Sequence, residues 1–459
     1  MPIQRISPAD LPCPRSGQAS AGVRGVPDDV IPDFSKEATR LRAAAGRLAG
    51  IDPEDRVALL DAFARRLLDE GSDFQRRFAP AGIPFLSSFL SRTNLNRLLE
   101  ASFPGGTACL RGFVDLPALG RRIMAHPRGV VVHWIAGNVP GLGLISLALG
   151  ILTGNANVIK LPSENGWLLP ELFARIGKIE VPKRNEGYVT GRNLLDATLF
   201  AACGREDREA QADLAREADV RVVWGGRKAV EHVERLPRRP GAQDMMFGPK
   251  ASLAALGRKA LTRTNRKTAA ERLALDASRF DQQACSSPHV VFVERGGEVK
   301  PLEFARALAE GMGKALGRLP RPGISADEAY AVVSIRSRYL ISGEVFSSGG
   351  TEWTVIYSEE GGLPDPVGSR VIFVRPLEDL TDLLPHIDRR LQTLGLLMDE
   401  ERAPAFAAAA TSRGIERITA LGQMHAYDHP WDGIFPLTRL VRWVSMHGPP
   451  PGPGPIRGG

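Results

Sequence analysis

Cysteine is scarce in this chain of 459 residues: Cys13, Cys109, Cys203 and Cys285 are the only four. No two of them form a CxxC pair and none has zinc-ligand spacing, which argues against a disulfide framework and a structural zinc site. Such a set suits free thiols in a reducing compartment. Long apolar runs are also missing. The most apolar stretch, Leu142–Thr153, reaches about half of the ~20 residues that a membrane-spanning helix needs, and it reads as a buried helix. The N-terminal MPIQRISPADLPCPRSG has no apolar core, so no secretory signal is expected and a cytoplasmic protein is. GxSxG, HExxH, GxxxxGK[ST] and GxGxxG patterns are all absent, and the eight histidines form no ligand cluster, so no metal is expected. Excess charge is small: 59 basic against 52 acidic residues give +7, spread along the chain. The basic runs Arg235–Arg239 and Arg258–Lys267 read as solvated faces, with a basic rim for coenzyme phosphates as the sharper alternative. Nucleic acid is not expected as a partner.

What is present is ordinary for a folded protein, with 43% hydrophobic and 24% charged residues. The length calls for two packed domains. Residues 1–34 are rich in Pro, Gly and Ser and read as a loose segment; 448–459 (GPPPGPGPIRGG) read as disordered. A helix is predicted from Asp52, with Pro53 in its first turn and Asp55 at the capping-box position. Arg128–Ala136 reads as a buried strand, Leu142–Leu152 as a buried helix and Asn157–Leu161 as a second strand. Strand, helix and strand at this spacing make a βαβ crossover and hence a parallel sheet. Val220–Trp224 is a further strand, followed by a Gly225-Gly226 turn and a helix over Arg227–Leu236. After Gly248-Pro249 the pattern restarts, with a helix from about Lys267 to Phe280, the segment DQQACSSP, and a strand over His289–Glu294. Strands at Trp353–Tyr357 and Val371–Val374 continue it. The fold class is α/β, with one domain over 35–248, a second over 249–430, and a segment 431–447 that returns to the fold.

Cys285 is the leading candidate for chemistry. It sits in a polar turn between a long helix and a buried strand, where a thiol can face a cleft while its backbone is held; a structural thiol is the other reading. Cys109 and Cys203 read as core or near-core thiols. Asn138 follows a strand and precedes a helix, the edge where open α/β sheets collect binding groups. Its amide is suited either to an oxyanion or to a turn. Lys160 closes the next strand, either to reach solvent or to meet a ribose or phosphate. Gly225 and Gly226 precede a helix whose first N–H groups point outward, a weak phosphate signal. His133, inside an apolar strand, reads as a satisfied core histidine.

Six segments together resemble the aldehyde dehydrogenase superfamily, and more closely its bacterial acyl-CoA reductase (LuxC) branch. They are DQQACSSP at 281–288, HWIAGNVPGLG at 133–143, GNANVIKLPSE at 154–164, FGPKAS at 247–252, RLQTLGL at 390–396 and WDGIFPLTRLVRWV at 431–444. The resemblance implies a Rossmann-like cofactor domain, a catalytic domain and an active site between them. It implies that Cys285 is the nucleophile and that Asn138, with the Cys285 N–H, holds the oxyanion. It also implies that Lys160 meets the adenosine ribose or 2′-phosphate, and that Gly226, followed by Arg227, lies under the pyrophosphate. An acyl-CoA or acyl-protein donor, a homo-oligomer, and an acyl-protein synthetase or acyltransferase partner follow by the same resemblance.

Two departures from the wider superfamily carry information. Hydrolytic aldehyde dehydrogenases place a glutamate in a segment like LELGGK; here the segment is MMFGPK, and Met246 stands where that base would be. Methionine cannot accept a proton, so an acyl-cysteine would survive until hydride arrives. Three residues after Lys160 stands Ser163, where NAD-preferring relatives often carry glutamate. Serine does not repel a 2′-phosphate, so NADPH is expected ahead of NADH, although Glu164 lies next to it. The reading is a fatty acyl thioester reductase forming an aldehyde through acyl-Cys285. A CoA-acylating or hydrolytic aldehyde dehydrogenase and a non-catalytic acyl carrier are the rivals.

Overall fold

The computed structural model of the chain describes residues 3–6, 29–31, 33–137, 139, 141–163, 166–204, 206–321 and 323–447. It divides into two compact units. The first holds Met1–Gly248, Asp428–Pro430 and Ile434–Gly459, and the second holds Pro249–Tyr427 and Trp431–Gly433.

The first unit is built on a seven-stranded sheet. Its parallel part runs in the order Gln243–Phe247, Val220–Trp224, Val130–Trp134, Ala156–Lys160, Thr198–Ala202. The first strand in sequence is therefore central, and the chain winds outward from it in both directions. That is a doubly wound order, which leaves a crevice at the carboxyl ends of the middle strands. Val130–Trp134 and Val220–Trp224 are buried along their whole length, as strands covered on both faces must be. Helix Leu142–Leu152 is buried from Gly143 to Leu152, which explains why its sequence is apolar all round. Gly150 lets it lie close to the sheet, since a Cβ there would stand 1.8 Å from Asn157 Oδ1. A separate three-stranded sheet joins Val441–His447, Arg121–Pro127 and Val114–Leu116.

The helix expected from Asp52 runs over Pro53–Asp69, and the Asp52 side chain accepts from Glu54 N at 2.8 Å. The capping box is corrected: Asp55 turns its carboxylate to Arg184 N, 3.0 Å away, because the chain at 184 packs over the helix start. The loose segment expected over 1–34 is corrected at two points. Ile3–Ile6 and Asp29–Ile31 are strands, the former antiparallel to Thr198–Ala202. An edge strand offers a row of backbone groups that pairs a neighbour without regard to side-chain periodicity. The other residues before 33, Cys13 among them, and 448–459 lie outside the described residues.

The second unit carries its own seven-stranded sheet, in the order Gly343–Ser347, Thr354–Ser358, Val371–Leu377, Pro288–Glu294, Ala251–Leu256, Leu391–Leu397, Arg417–Thr419. All neighbours are parallel except the first pair. The central strand Pro288–Glu294 is buried throughout. Helices Arg266–Ser278 and Pro301–Arg318 pack on one face through Leu273, Ala277, Phe304, Leu308 and Met312. Each such leucine, fully buried, contributes about 1.5–3 kcal/mol. At the far end of the central strand, the buried Glu294 carboxylate accepts two hydrogen bonds from Arg402 at 2.8 Å and one from Arg258 N at 2.7 Å. Burial works against that charge, but these donors hold its carboxyl well below the usual range.

Candidate active site

Cys285 lies just ahead of the central strand Pro288–Glu294, half-buried, in a turn held from both sides. Before it, Phe280, Asp281 and Gln282 have φ of 53°, 50° and 65°. Three successive non-glycine residues in the left-handed region cost about 1–2 kcal/mol each, so the surroundings must enforce them. Arg370, itself buried, donates to Asp281 through Nε at 2.7 Å. The buried Gln282 amide donates to the carbonyls of Pro288 and Val371, at 2.7 and 2.8 Å. After it, Ser286 Oγ lies 2.9 Å from His425 Nδ1, and His425 Nε2 lies 2.7 Å from the Asp276 carbonyl. A carbonyl can only accept, so Nε2 carries the proton and Nδ1 accepts from Ser286. Burial holds the imidazole neutral, its pKa lowered to about 4.

The start of the sheet supplies the remaining partners. Strand Ala251–Leu256 shifts register at Ser252 against both neighbours, a bulge of the kind found beside functional sites. The Ser252 hydroxyl donates to the Cys285 carbonyl at 2.7 Å and accepts from Thr393 N at 3.1 Å. The side-chain amide of Gln392, 2% exposed, donates to Asp432. Arg417 donates to Thr393 Oγ1, which donates to Gln392 Oε1 at 3.4 Å, so the amide is oriented with its nitrogen toward the Asp432 carboxylate. Burial pushes the Cys285 thiol up to about 12, and the Asp432 carboxylate adds to that; Gln392, the Arg417 charge and the Ser286 N–H oppose it. The resting thiol thus keeps its proton.

In the first unit the register pairs Trp134 with Lys160 and with Val223, so Ile135–Gly137, Lys160 and Gly225 share one edge of the sheet. Gly226 caps helix Arg227–Glu234, and a Cβ on it would meet nothing within 4 Å. Its approach is open to a phosphate, and Arg227 beside it is exposed. The Gly225 N–H is already used, donating to the Phe247 carbonyl at 3.1 Å. Lys160 is half-buried and Ser163 exposed. A cation and free helix-terminal N–H groups at one sheet edge fit the ribose and phosphates of a dinucleotide. Asn138 lies outside the described residues. His133 is a core residue: Ser146 Oγ and Asn157 Oδ1 occupy its two nitrogens at 2.6 and 3.1 Å, and burial lowers its pKa to about 4. Cys109 and Cys203 are pushed up to about 11 by burial. Among the described residues no group of three or more His, Cys, Asp or Glu is placed to hold a metal, and no helix is long and apolar enough to cross a membrane.

Gln392, Asp432, Ser252 and Arg417 were not singled out from the sequence as site residues. The signal was there for three of them, since Ser252 closes FGPKAS, Gln392 lies in RLQTLGL and Asp432 in WDGIFPL.

Solved structures with this architecture include aldehyde dehydrogenases. One from Pseudomonas syringae, described in complex with NAD+ and octanal, aligns with a TM-score of 0.64 over 97% of this chain and 93% of its own, at 13% identity. The fold is thus aldehyde dehydrogenase-like. The family model for acyl-CoA reductase (LuxC) matches residues 52–443, and the chain belongs to that family. Similar relatives are long-chain acyl-protein thioester reductases from Aliivibrio fischeri and Vibrio harveyi. They are 28% and 27% identical over 331 and 334 residues, each alignment covering 71% of this chain. The chain spans 66% of the length of each of these relatives, just under two thirds.

Proposed function

We propose that this chain reduces a fatty acyl thioester to the aldehyde through an acyl-Cys285 intermediate. The observation that carries the reading is Cys285 on a turn braced on both sides, by Gln282 and Asp281 before it and by Ser252 and Ser286 at it. The Cys285 thiolate attacks the donor carbonyl, the Sγ–C bond forms, and the donor thiolate leaves. Asn138 and the Cys285 N–H stabilise the oxyanion, by the family resemblance. Lys160, Ser163, Gly226 and Arg227 would hold a nicotinamide dinucleotide, with NADPH ahead of NADH because Ser163 brings no negative charge toward a 2′-phosphate. When bound, that cofactor supplies the hydride that releases the acyl group as aldehyde. The relatives' names make an acyl-protein donor as natural as acyl-CoA, and a synthetase or transferase that loads the cysteine, together with a homo-oligomeric and cytoplasmic enzyme, completes the proposal.

The test is incubation with acyl-CoAs of graded length and NADPH or NADH, following aldehyde by mass spectrometry and cofactor by absorbance. Aldehyde is expected with matching NADPH oxidation. Cys285→Ser is expected to abolish both aldehyde and covalent acyl labelling, while Cys109→Ser retains them. Labelling that survives in Cys285→Ser overturns the nucleophile assignment, and labelling without cofactor oxidation makes the chain an acyl carrier.

A further inference from the structure

Cys285 and Ser286 are the central residues of a turn that closes where Ser287 N donates to the Ala284 carbonyl at 2.9 Å. The middle peptide of such a turn, here the Cys285–Ser286 bond, is its loosest part, because turns of type I and type II share their ends and differ by turning that plane over. The carbonyl on that plane is the one Ser252 holds. Ser252 Oγ lies 2.7 Å from it and 3.1 Å from Thr393 N. A carbonyl only accepts and a backbone N–H only donates, so the hydroxyl has one orientation, with its proton on the Cys285 carbonyl and a lone pair toward Thr393. Ser252 is 1% exposed, so bulk water does not compete for either bond. The strands around it depart from a regular ladder at this point. Between Ala251 and Leu253 the neighbour on one side advances from Leu391 to Leu394, one residue more than regular pairing allows. Between Ser252 and Leu253 the neighbour on the other side advances from Pro288 to Val290. The extra residues interrupt the ladder on both sides of Ser252, and Thr393 N meets its side chain instead of a strand carbonyl. One hydroxyl thus ties two strand ends to the turn.

We infer that Ser252 is a positioning residue for the nucleophile: its hydroxyl fixes the Cys285–Ser286 peptide in one orientation, and so fixes the direction in which the Cys285 side chain meets an acyl carbonyl. The inference rests on Cys285 being the nucleophile. Other groups anchor the turn on either side. Upstream, the Gln282 amide and the Asp281–Arg370 pair hold the approach; downstream, Ser286 Oγ is bonded to His425 Nδ1. Between these anchors, ψ of Cys285 is the torsion that the bond from Ser252 controls. The peptide is planar and trans, so its N–H points opposite to its C=O. Holding the Cys285 carbonyl therefore also aims the Ser286 N–H, away from Ser252. Attack of sulfur on a carbonyl is demanding in direction, and a misplacement of about 1 Å can cost on the order of 10²-fold in rate. The contact of Ser252 is with the main chain of Cys285, which makes its role one of positioning.

The experiment compares two reactions of one sulfur in the full chain. One is single-turnover acylation, without cofactor, by the acyl-CoA that wild type takes best from the graded series. The other is alkylation by iodoacetamide, and mass spectrometry of the peptide holding Cys285 follows both. Each needs the thiolate, so its fraction cancels in the ratio of the two rates, whereas acylation alone needs an oriented sulfur beside an oxyanion site. Well below the unfolding temperature, Ser252→Ala is expected to slow acylation roughly tenfold to a hundredfold and to leave alkylation within about threefold of wild type. Ser252→Thr keeps the hydroxyl and is expected to return the ratio to near the wild-type value. A role in stability alone would lower the unfolding temperature and leave the ratio where it was. Should Ser252→Ala not fold, Ser252→Gly decides by the same ratio, because it removes the hydroxyl while admitting water at the Cys285 carbonyl and Thr393 N. A wild-type ratio in a folded variant without the hydroxyl overturns the inference, and so does a Ser252→Thr ratio as low as that of the variant without the hydroxyl. Wild type that is alkylated at Cys285 but takes no acyl group there removes the nucleophile assignment and this inference with it; that failure shows in wild type, whereas failure of the positioning role alone shows only among the variants.

Discussion

At the scale of single residues, the site balances a thiol that burial protects against donors that would stabilise its anion. Gln392 and the Ser286 N–H are neutral donors, so they help the thiolate without neutralising it. The proposed role of Asn138 would extend that logic to the oxyanion. Loss of one such donor typically costs on the order of 10²–10³ in rate, so Asn138→Ala should depress single-turnover acylation by that much with NADPH affinity nearly unchanged. Weakened NADPH binding with normal acylation would instead make Asn138 a turn-shaping residue. Met246 tests the opposite property, the absence of a base. It lies half-buried on the edge strand Gln243–Phe247, between the buried Met245 and Phe247. Met246→Glu introduces a carboxylate where the resemblance places the base of hydrolytic aldehyde dehydrogenases. Enzyme loaded with labelled acyl-CoA without NADPH should release free acid faster than wild type. Equal rates in a variant of normal thermal stability would mean that something other than the missing base keeps water from the acyl group.

At the scale of elements, the turn before Cys285 matters more than the helix or strand it joins. Three left-handed residues persist there because Asp281 is held by Arg370 and Gln282 by two carbonyls. Gln282→Leu removes both amide bonds and leaves buried acceptors short of donors. A loss of about 2–4 kcal/mol in the second unit is expected by urea denaturation, with a slower Cys285 acylation. A change within ~0.5 kcal/mol would show that the turn keeps its shape without Gln282. This turn also marks where sequence reading stops. The setting of Cys285 was legible because it is local: helix Arg266–Ser278 ends before it and strand Pro288–Glu294 follows within three residues. The strand at Val220–Trp224 and the helix at Leu142–Leu152 were legible to the residue for the same reason, through local periodicity. The bulge at Ser252 and the seating of Gln392 and Asp432 depend on register between strands far apart in the chain, and no local pattern encodes register of that kind. Even the left-handed run carries residues, Phe280 and Gln282, that have little preference for it.

At the scale of the whole molecule, buried ionisable groups set how the fold answers to acid. His133 and His429 in the first unit, and His289 and His425 in the second, are each held neutral by burial, with pKa values lowered from 6.5 to about 4. The unfolded chain takes up protons at these positions below about 6.5, whereas the native chain does so only near 4. Stability from these four is therefore complete above 6.5 and is lost as the pH falls toward 4. Asp276 acts in the other sense. Burial raises its carboxyl from 3.8 to about 6, against the Gly422 and Met424 N–H groups, so the native state takes up its proton first and gains stability as pH falls from about 6 to 3.8. Each pKa unit corresponds to about 1.4 kcal/mol, and four groups outweigh one even when their shifts are heavily discounted. The temperature of half-unfolding, followed by calorimetry, should be at least about 5 °C lower at pH 5 than at pH 7. Asp276→Asn should steepen that fall, because a group that opposes it is gone. An unfolding temperature that holds or rises at pH 5 would mean that the histidines reach protons in the native state, and that the Ser286–His425 brace behind Cys285 is looser than its hydrogen bonds imply.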